Sequence, residues 1–272
     1  MRNVHTLDNL RSDGFSQRKG PVQNFLDFFF PGFNTTSINF YFIVLQILGF
    51  VATFVLSETI LRTQDYPWRC AMFILGAKYT PSIVGTLQVW RFFTPVLLHQ
   101  NLWHLFWNVL AFCMLGFRTE QSCRDHKHFI GFLIVSAFFG NAFSAAFSYQ
   151  NLGVGSSTVV FGMLGIITVY VILNFKKMIQ SKNPLFILTL VMLTLILFQG
   201  FILGEAAGID QYGHLGGFVG GVLLFPTVYN SSSLVKFKLA SQIALVGLAV
   251  YLLVTIFENG HSCSSTNSCK VC

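Results

Sequence analysis

Seven apolar runs of about 20 residues constrain the fold of this chain more than any other feature. Each run is long enough, or nearly long enough, to cross the hydrocarbon core of a bilayer, which is about 30 Å thick. The runs lie at 38–57, 98–117, 129–148, 156–174, 184–203, 211–229 and 239–257. We therefore predict an all-α fold, a polytopic bundle of membrane-spanning helices.

The charge content supports the same interpretation. Only 10% of the residues are charged and 53% are hydrophobic, whereas a soluble domain carries about 25% charged residues. This composition excludes a disordered chain and an ordinary cytosolic enzyme. The net charge of +7 comes from basic residues at the ends of the apolar runs, which indicates membrane topology. We expect the lipid bilayer, and no nucleic acid, as a partner.

The distribution of Lys and Arg predicts the orientation, because cytosolic segments carry an excess of basic residues. Twelve of the 17 basic residues fall on the side of the N-terminus and five on the other side. We expect the N-terminus in the cytosol and the C-terminus outside it. The chain then divides into a cytosolic arm (1–37), a six-span core (38–229) with an outer loop (58–97), a linker and seventh span (230–257), and an extracytoplasmic tail (258–272).

Spans two, four and six carry polar residues at a similar depth. His104 and Asn108 are four residues apart in span two, so they share one helix face. Ser157 opens span four, and His214 lies near the start of span six. Since even-numbered spans run from the outside inward, these residues fall in one outer layer. Polar groups in a membrane helix are functional candidates, because leaving them unpaired is costly.

Glycines in spans four and six indicate how these groups meet. Gly213, Gly217 and Gly221 recur every four residues in span six, and Gly155 and Gly162 lie in span four. Small residues at such spacing allow two helix backbones to approach closely in a membrane. A histidine beside a serine hydroxyl activates it as a nucleophile. An oxyanion would find donors in the first N–H groups of span four and in the side chains of span two.

Four motifs together resemble the rhomboid intramembrane serine proteases. They are GSSTVVFGMLG (155–165), GHLGGFVGG (213–221), His99-x4-His104-x3-Asn108 and the pair Trp90-Arg91. The resemblance implies a Ser–His dyad that works without an Asp, a metal or a cofactor. Its residues are the nucleophile Ser157, the general base His214, the oxyanion donors His104 and Asn108, and the structural residues His99, Gly155, Trp90, Arg91 and Gly217.

The resemblance also implies a rhomboid-like six-helix core. An added C-terminal span is similar to the eukaryotic secretory-pathway branch, so we expect the protein in that pathway or in the plasma membrane. Substrates would be single-pass transmembrane proteins cut near the outer end of their helices, with span five (184–203) as a lateral gate. Thr158 stands where rhomboids usually have Gly. Some parasite rhomboids are similar in that respect.

Other interpretations remain at this point. Thr158 is compatible with an inactive rhomboid-like protein that binds or escorts membrane clients. A seven-span receptor or transporter is disfavoured by the orientation and by the absence of charged residues within the spans. A zinc protease is disfavoured because the chain has no HExxH motif. Ser156 is the rival nucleophile, but it points about 100° away from Ser157 around a helix.

Overall fold

The computed structural model describes residues 32–180, 209–229 and 234–260, together with Phe30 and Val191. These residues form helices, and β pairing among them is limited to isolated bridges. The all-α fold class is therefore confirmed. Predicted span five, its gating role, and most of the N-terminal arm and C-terminal tail lie outside the described residues.

Ten α-helices follow one another in the described residues. They are α1 (Ile38–Thr59), α2 (Pro67–Ile74), α3 (Thr80–Thr86), α4 (Leu102–Ala111), α5 (Phe117–Ser122), α6 (His126–Phe147), α7 (Ser157–Leu173), α8 (Phe175–Gln180), α9 (Gln211–Val228) and α10 (Val235–Asn259). Short 3₁₀ turns at Val89–Phe92 and Thr94–Leu97 precede α4. A π-helical turn, Phe112–Gly116, joins α4 to α5.

The long helices match the apolar runs. Helices α1 and α6, and residues 236–259 of α10, are long and apolar enough to cross a membrane, and α7 is apolar but has 17 residues. The second apolar run begins at residue 98, but its helix begins only at Leu102. The reason is a cap at Asn101, whose side chain accepts a hydrogen bond of 2.9 Å from the backbone N–H of His104.

Helices α6, α7 and α9 form the centre of the bundle. Helix α9 packs chiefly against α6 and α7. The buried core includes Phe132 and Phe139 of α6, Met163 and Leu164 of α7, and Phe225 of α9. The apolar faces of α1 and α10 are largely exposed. In a membrane such faces meet lipid, so they need no protein partner.

The outer loop between α1 and α4 is held by polar contacts. Arg91 is buried, and its guanidinium donates to the carbonyl groups of Phe73 and Ala77 over 2.9 and 2.6 Å. The same group lies 4.4 Å above the centre of the Phe73 ring. Trp90 is half exposed. Arg91 therefore holds together the loop between α1 and α4.

The start of α1 is tied to the end of α5. The carboxylate of Glu120 accepts hydrogen bonds from the backbone N–H groups of Ile38 and Asn39, over 3.0 and 2.9 Å. Its Oε1 also lies 2.8 Å from Nδ1 of His126. A carboxylate at a helix N-terminus satisfies N–H groups that have no partner within the helix. Glu120 thus fixes where the first span begins.

Candidate active site

Ser157 and His214 lie within hydrogen-bond distance of each other. Ser157 is the first residue of α7, and His214 lies in the first turn of α9. Nε2 of His214 is 3.0 Å from Oγ of Ser157. Both residues are half-buried. With its other nitrogen protonated, the imidazole accepts the serine proton through Nε2, which is the arrangement that activates a hydroxyl.

Glycines bring α7 and α9 together. A Cβ atom at Gly217 would collide with the backbone carbonyl group of Thr158, and one at Gly221 with that of Gly162. From the other side, a Cβ at Gly165 would collide with the carbonyl oxygen of Phe218. Backbone lies against backbone along this contact, so no side chain larger than hydrogen fits. This close approach sets the short distance between Ser157 and His214.

Phe161 holds the imidazole of His214 in place. The two rings are stacked, with centroids 3.9 Å apart and planes inclined by 16°. Phe161 lies four residues after Ser157, so both residues share one face of α7. Phe161 was not among the predicted site residues. Its spacing from Ser157 was the signal that could have identified it.

His104 lies against the segment that leads into Ser157. Gly155 has φ +118, and a Cβ atom there would lie 2.6 Å from Cε1 and 2.8 Å from Nε2 of His104. The same position is 3.6 Å from Oγ of Ser157. Gly155 is therefore required twice, for its backbone conformation and for the space that the imidazole occupies. His104 is placed close to the serine.

Asn108 lies one turn after His104 on α4. It is buried, and its Nδ2 donates a 2.9 Å hydrogen bond to the carbonyl oxygen of His104. A carboxamide has two N–H groups. This hydrogen bond to the helix backbone uses one of them, so one N–H group remains as a donor. The first N–H groups of α7 add further donors, because the start of a helix leaves them without intrahelical partners. The site thus combines a Ser–His pair with several nearby donors.

The predicted structural residues His99, Trp90 and Arg91 have different surroundings. His99 is fully buried, and its ring meets that of His104 edge-on with centroids 5.3 Å apart. Trp90 and Arg91 belong to the outer loop described above. His99 therefore supports the surroundings of Ser157 through His104, whereas Arg91 holds the outer loop together.

Three polar residues near the site were not among the predicted site residues. Oε1 of Gln46, in the middle of α1, accepts a 2.6 Å hydrogen bond from the Ser156 hydroxyl, and both residues are fully buried. Asp210 caps α9 by accepting a 2.9 Å hydrogen bond from the N–H of Gly213. Lys78 is the third. An Asp ahead of an apolar run is an N-cap signal, whereas no local pattern identifies Gln46 or Lys78.

Thr158 fits the site without backbone strain. It lies in the first turn of α7, and the only non-glycine residue with positive φ among the described residues is Leu87. Its side chain packs on Gly140 of α6, where a Cβ atom would collide with Cβ of Thr158. Its methyl group occupies space that Gly140 leaves free. Thr158 therefore does not distort the start of α7.

Comparison with known proteins identifies the family. The model of the rhomboid domain matches residues 86–231. This chain belongs to the rhomboid family. The match contains both Ser157 and His214, and the apolar helices make the chain an integral membrane protein.

Several named relatives of this rhomboid are proteases. Rhomboid-like protease 1 of Toxoplasma gondii is 33% identical over 218 residues, which cover 79% of this chain and 71% of that protein. Rhomboid-like protease 3 of the same organism is 28% identical over 203 residues, covering 75% and 73%. Rhomboid protease GluP of Bacillus subtilis is 30% identical over 181 residues, covering 65% and 34%.

Proposed function

We propose that this chain is an intramembrane serine endopeptidase with Ser157 as nucleophile and His214 as general base. The observation that carries the proposal is the 3.0 Å distance between Nε2 of His214 and Oγ of Ser157. The relatives named as proteases support the same reaction class. The stacking of Phe161 on His214 supports it further, because it leaves the imidazole edge directed at the serine.

The reaction follows from these positions. Oγ of Ser157 attacks the carbonyl carbon of the scissile peptide bond while its proton passes to Nε2 of His214. The resulting oxyanion is stabilised by the first N–H groups of α7 and by the side chains of His104 and Asn108. His214 then gives the proton to the leaving amine. Water, activated by the same imidazole, hydrolyses the acyl-enzyme and regenerates Ser157.

The depth of the dyad suggests the kind of substrate. Ser157 and His214 both lie at the N-terminal ends of helices that run inward from the outer side under the proposed orientation. An α-helix shields its carbonyl groups from attack by its own hydrogen bonds. We therefore infer that the substrates are single-pass transmembrane proteins with a helix that unwinds readily near its outer end.

The proposed location is the secretory pathway or the plasma membrane, with the N-terminus in the cytosol and the C-terminus outside it. The excess of basic residues on one side supports this orientation. Protease treatment of sealed vesicles carrying an N-terminal tag tests it. We expect the tag to be protected in vesicles whose cytosolic face points inward. It should be digested in vesicles whose cytosolic face points outward.

The test of the function is release of a soluble ectodomain from single-pass substrates by purified protein. Ser157→Ala should lower cleavage by about a thousandfold or more. Ser156→Ala is the matched control, since it removes the neighbouring hydroxyl and should keep most of the cleavage activity. Equal cleavage by wild type and Ser157→Ala would show that the mechanism is wrong.

Covalent labelling separates the peptidase from an inactive rhomboid-like protein that only binds clients. A fluorophosphonate probe reacts with a serine hydroxyl only when an adjacent base activates it. Folded wild type should be labelled, while Ser157→Ala and His214→Ala should not. Folded wild type without any label would favour the binding protein.

A further inference from the structure

Lys78 carries a buried ammonium group that has no part in the reaction proposed above. It lies in the outer loop between α2 and α3, and its side chain is 0% exposed, which makes it one of the largest fully buried side chains in the described residues. Burial of an ammonium group is costly unless the group is well hydrogen-bonded. The contacts of Lys78 therefore need an explanation.

The ammonium group of Lys78 lies at the C-terminal end of α6. Its Nζ donates to the carbonyl oxygens of Ser148 and Asn151 over 2.8 and 2.9 Å, and to that of Ser144 over 3.5 Å. These carbonyl groups lie in the last turn of α6 and just after it, at the negative end of the helix dipole. An ammonium has three N–H donors, so the number of donors matches the number of carbonyl groups.

The backbone of Lys78 is joined to the segment that leads into α7. Its N–H donates to the carbonyl oxygen of Gly153 over 2.8 Å, and it accepts from the N–H of Gly153 over 2.9 Å. Two residues later, the N–H of Gly155 donates to Pro95 over 2.9 Å. Segment 148–155 is thus held at both ends by the outer loop, directly ahead of Ser157.

Lys78 also lies close to the start of α9. The negative charge of Asp210, which caps that helix, raises the pKa of Lys78 against the lowering by burial. Oδ2 of Asp210 is 3.5 Å from the place where a Cβ atom of Gly153 would lie. His214 follows Asp210 by one helical turn, so the two segments that present the dyad meet beside the ammonium group.

We propose that Lys78 is a positioning residue for the peptidase site. Its ammonium group ties the end of α6, segment 148–155 and the cap of α9 together, so that Gly155 supports His104 and Ser157 faces His214. The inference rests on the proposed function. It assigns to the outer loop a direct part in aligning the two catalytic side chains.

The experiment compares Lys78→Met with Thr80→Val in the ectodomain-release assay. Thr80 is the matched control because it belongs to the same loop, is buried, and donates its hydrogen bond to Ala145 of α6, over 3.0 Å, and not to segment 148–155. Both variants should lower Tm. Lys78→Met should lower kcat about tenfold with KM changed less than about twofold, since small misplacements of reacting groups cost rate. Thr80→Val should keep kcat within about twofold.

A second variant reaches the ammonium from the other side. A Cβ atom at Gly153 would lie 2.9 Å from Cε of Lys78, so Gly153→Ala displaces the lysine stem while keeping its charge. We expect kcat to fall about threefold. This variant decides the matter if Lys78→Met does not fold, and an unchanged kcat in Gly153→Ala would then overturn the proposal.

The pH dependence gives a readout that a purely structural role would not produce. Burial lowers the pKa of Lys78 from its ordinary 10.5 to about 8, and Asp210 opposes that shift. Above about pH 8 the neutral amine has only two N–H donors for three carbonyl groups. The kcat of wild type should fall there, whereas that of Lys78→Met should not.

The stability change has the opposite sign. Between about pH 8 and pH 10.5, Lys78 keeps its proton in the unfolded chain and has lost it in the folded chain. This group therefore raises the free energy of unfolding as pH rises. A wild-type kcat that rises together with stability, or a kcat loss in Lys78→Met no larger than in Thr80→Val, would overturn the proposal. If wild type cleaves no better than Ser157→Ala, the proposed function itself has failed.

Discussion

Helices α9 and α1 both reach the start of α7, but they do so through different kinds of contact. Helix α9 approaches α7 along a row of glycines, with Gly217 and Gly221 against the backbone of α7. Helix α1 reaches it through one side-chain hydrogen bond, from Ser156 to Gln46. Helix α1 is also the less buried kind of span. Only 22% of its most apolar stretch is buried, against 67% for α6, which packs on α9 in the centre of the bundle.

The difference shows how a membrane protein builds a rigid site without a hydrophobic driving force between its helices. Close backbone contact gives van der Waals packing over a long surface and admits little movement. A single buried hydrogen bond fixes one point and leaves the rest of the helix facing lipid. The catalytic pair lies across the first kind of contact, and the peripheral span is attached by the second kind.

The largest expected effect comes from breaking the backbone contact with Gly217→Val. A Cβ atom there collides with the Thr158 carbonyl group, and backbone cannot move aside as a side chain can. The two helices must separate, which lengthens the distance from Ser157 to His214. We expect cleavage to fall by about a hundredfold or more, together with a lower Tm.

Gly247→Val is the control for that substitution. Gly247 is an exposed helical glycine of α10, and a Cβ atom there meets nothing within 4 Å. Cleavage and Tm should stay close to those of wild type. Normal cleavage by Gly217→Val would mean that the glycine contact does not set the geometry of the dyad.

An intermediate effect is expected from Glu120→Gln, which weakens the attachment of α1 at its other end. The carboxylate serves the N–H groups of Ile38 and Asn39 with its two oxygens, whereas a carboxamide offers one oxygen. The free energy of unfolding should fall by about 1–3 kcal/mol, measured by thermal or denaturant unfolding in detergent. Glu58→Gln, at an exposed position of the same helix, should have no measurable effect.

The rate of cleavage by the Glu120→Gln variant shows whether this attachment of α1 affects the catalytic pair or only anchors the span. Glu120 contacts the start of α1, whereas Ser156 contacts the middle of that helix through Gln46. At a temperature well below Tm, kcat should therefore stay within about twofold of wild type. A large loss of kcat in the folded variant would contradict the view that this tie only anchors the span.

The smallest effect is expected from Gln46→Leu, which removes the hydrogen bond between α1 and the residue before Ser157. The buried Ser156 hydroxyl loses its partner, at a cost of about 1–2 kcal/mol. Ser156→Ala leaves the Gln46 side chain without its donor at a similar cost. The double variant should lose less than the sum of the two, because no polar group is then left unpaired. Additive losses would show that the two side chains do not interact.

Much of the fold was predictable because a bilayer restricts it. A spanning segment must satisfy its own backbone hydrogen bonds, so each apolar run of sufficient length predicts a helix. Helices α1, α6, α7, α9 and α10 follow the apolar runs closely. The start of α4 differs from the predicted run, since the cap at Asn101 begins the helix at Leu102 and not at residue 98.

Part of the candidate site was also predictable from the sequence. The spacing of His104 and Asn108 places both on one face of α4, and the four-residue glycine spacing predicted the close contact of α7 with α9. That Ser157 and His214 are the catalytic residues stays a prediction until activity is measured. Their proximity of 3.0 Å is what the glycine spacing had led us to expect.

The sequence by itself determined the all-α membrane class, the family and the residues that form the glycine contact, because these depend on apolar runs and short motifs, each within one segment of the chain. Only the tertiary structure decided that Gln46 bonds to Ser156, that Gly140 accommodates Thr158, and that the ammonium of Lys78 meets the end of α6. These contacts join residues far apart in the chain. Their partners are backbone carbonyl groups or single side chains, which leave no periodic pattern in a sequence.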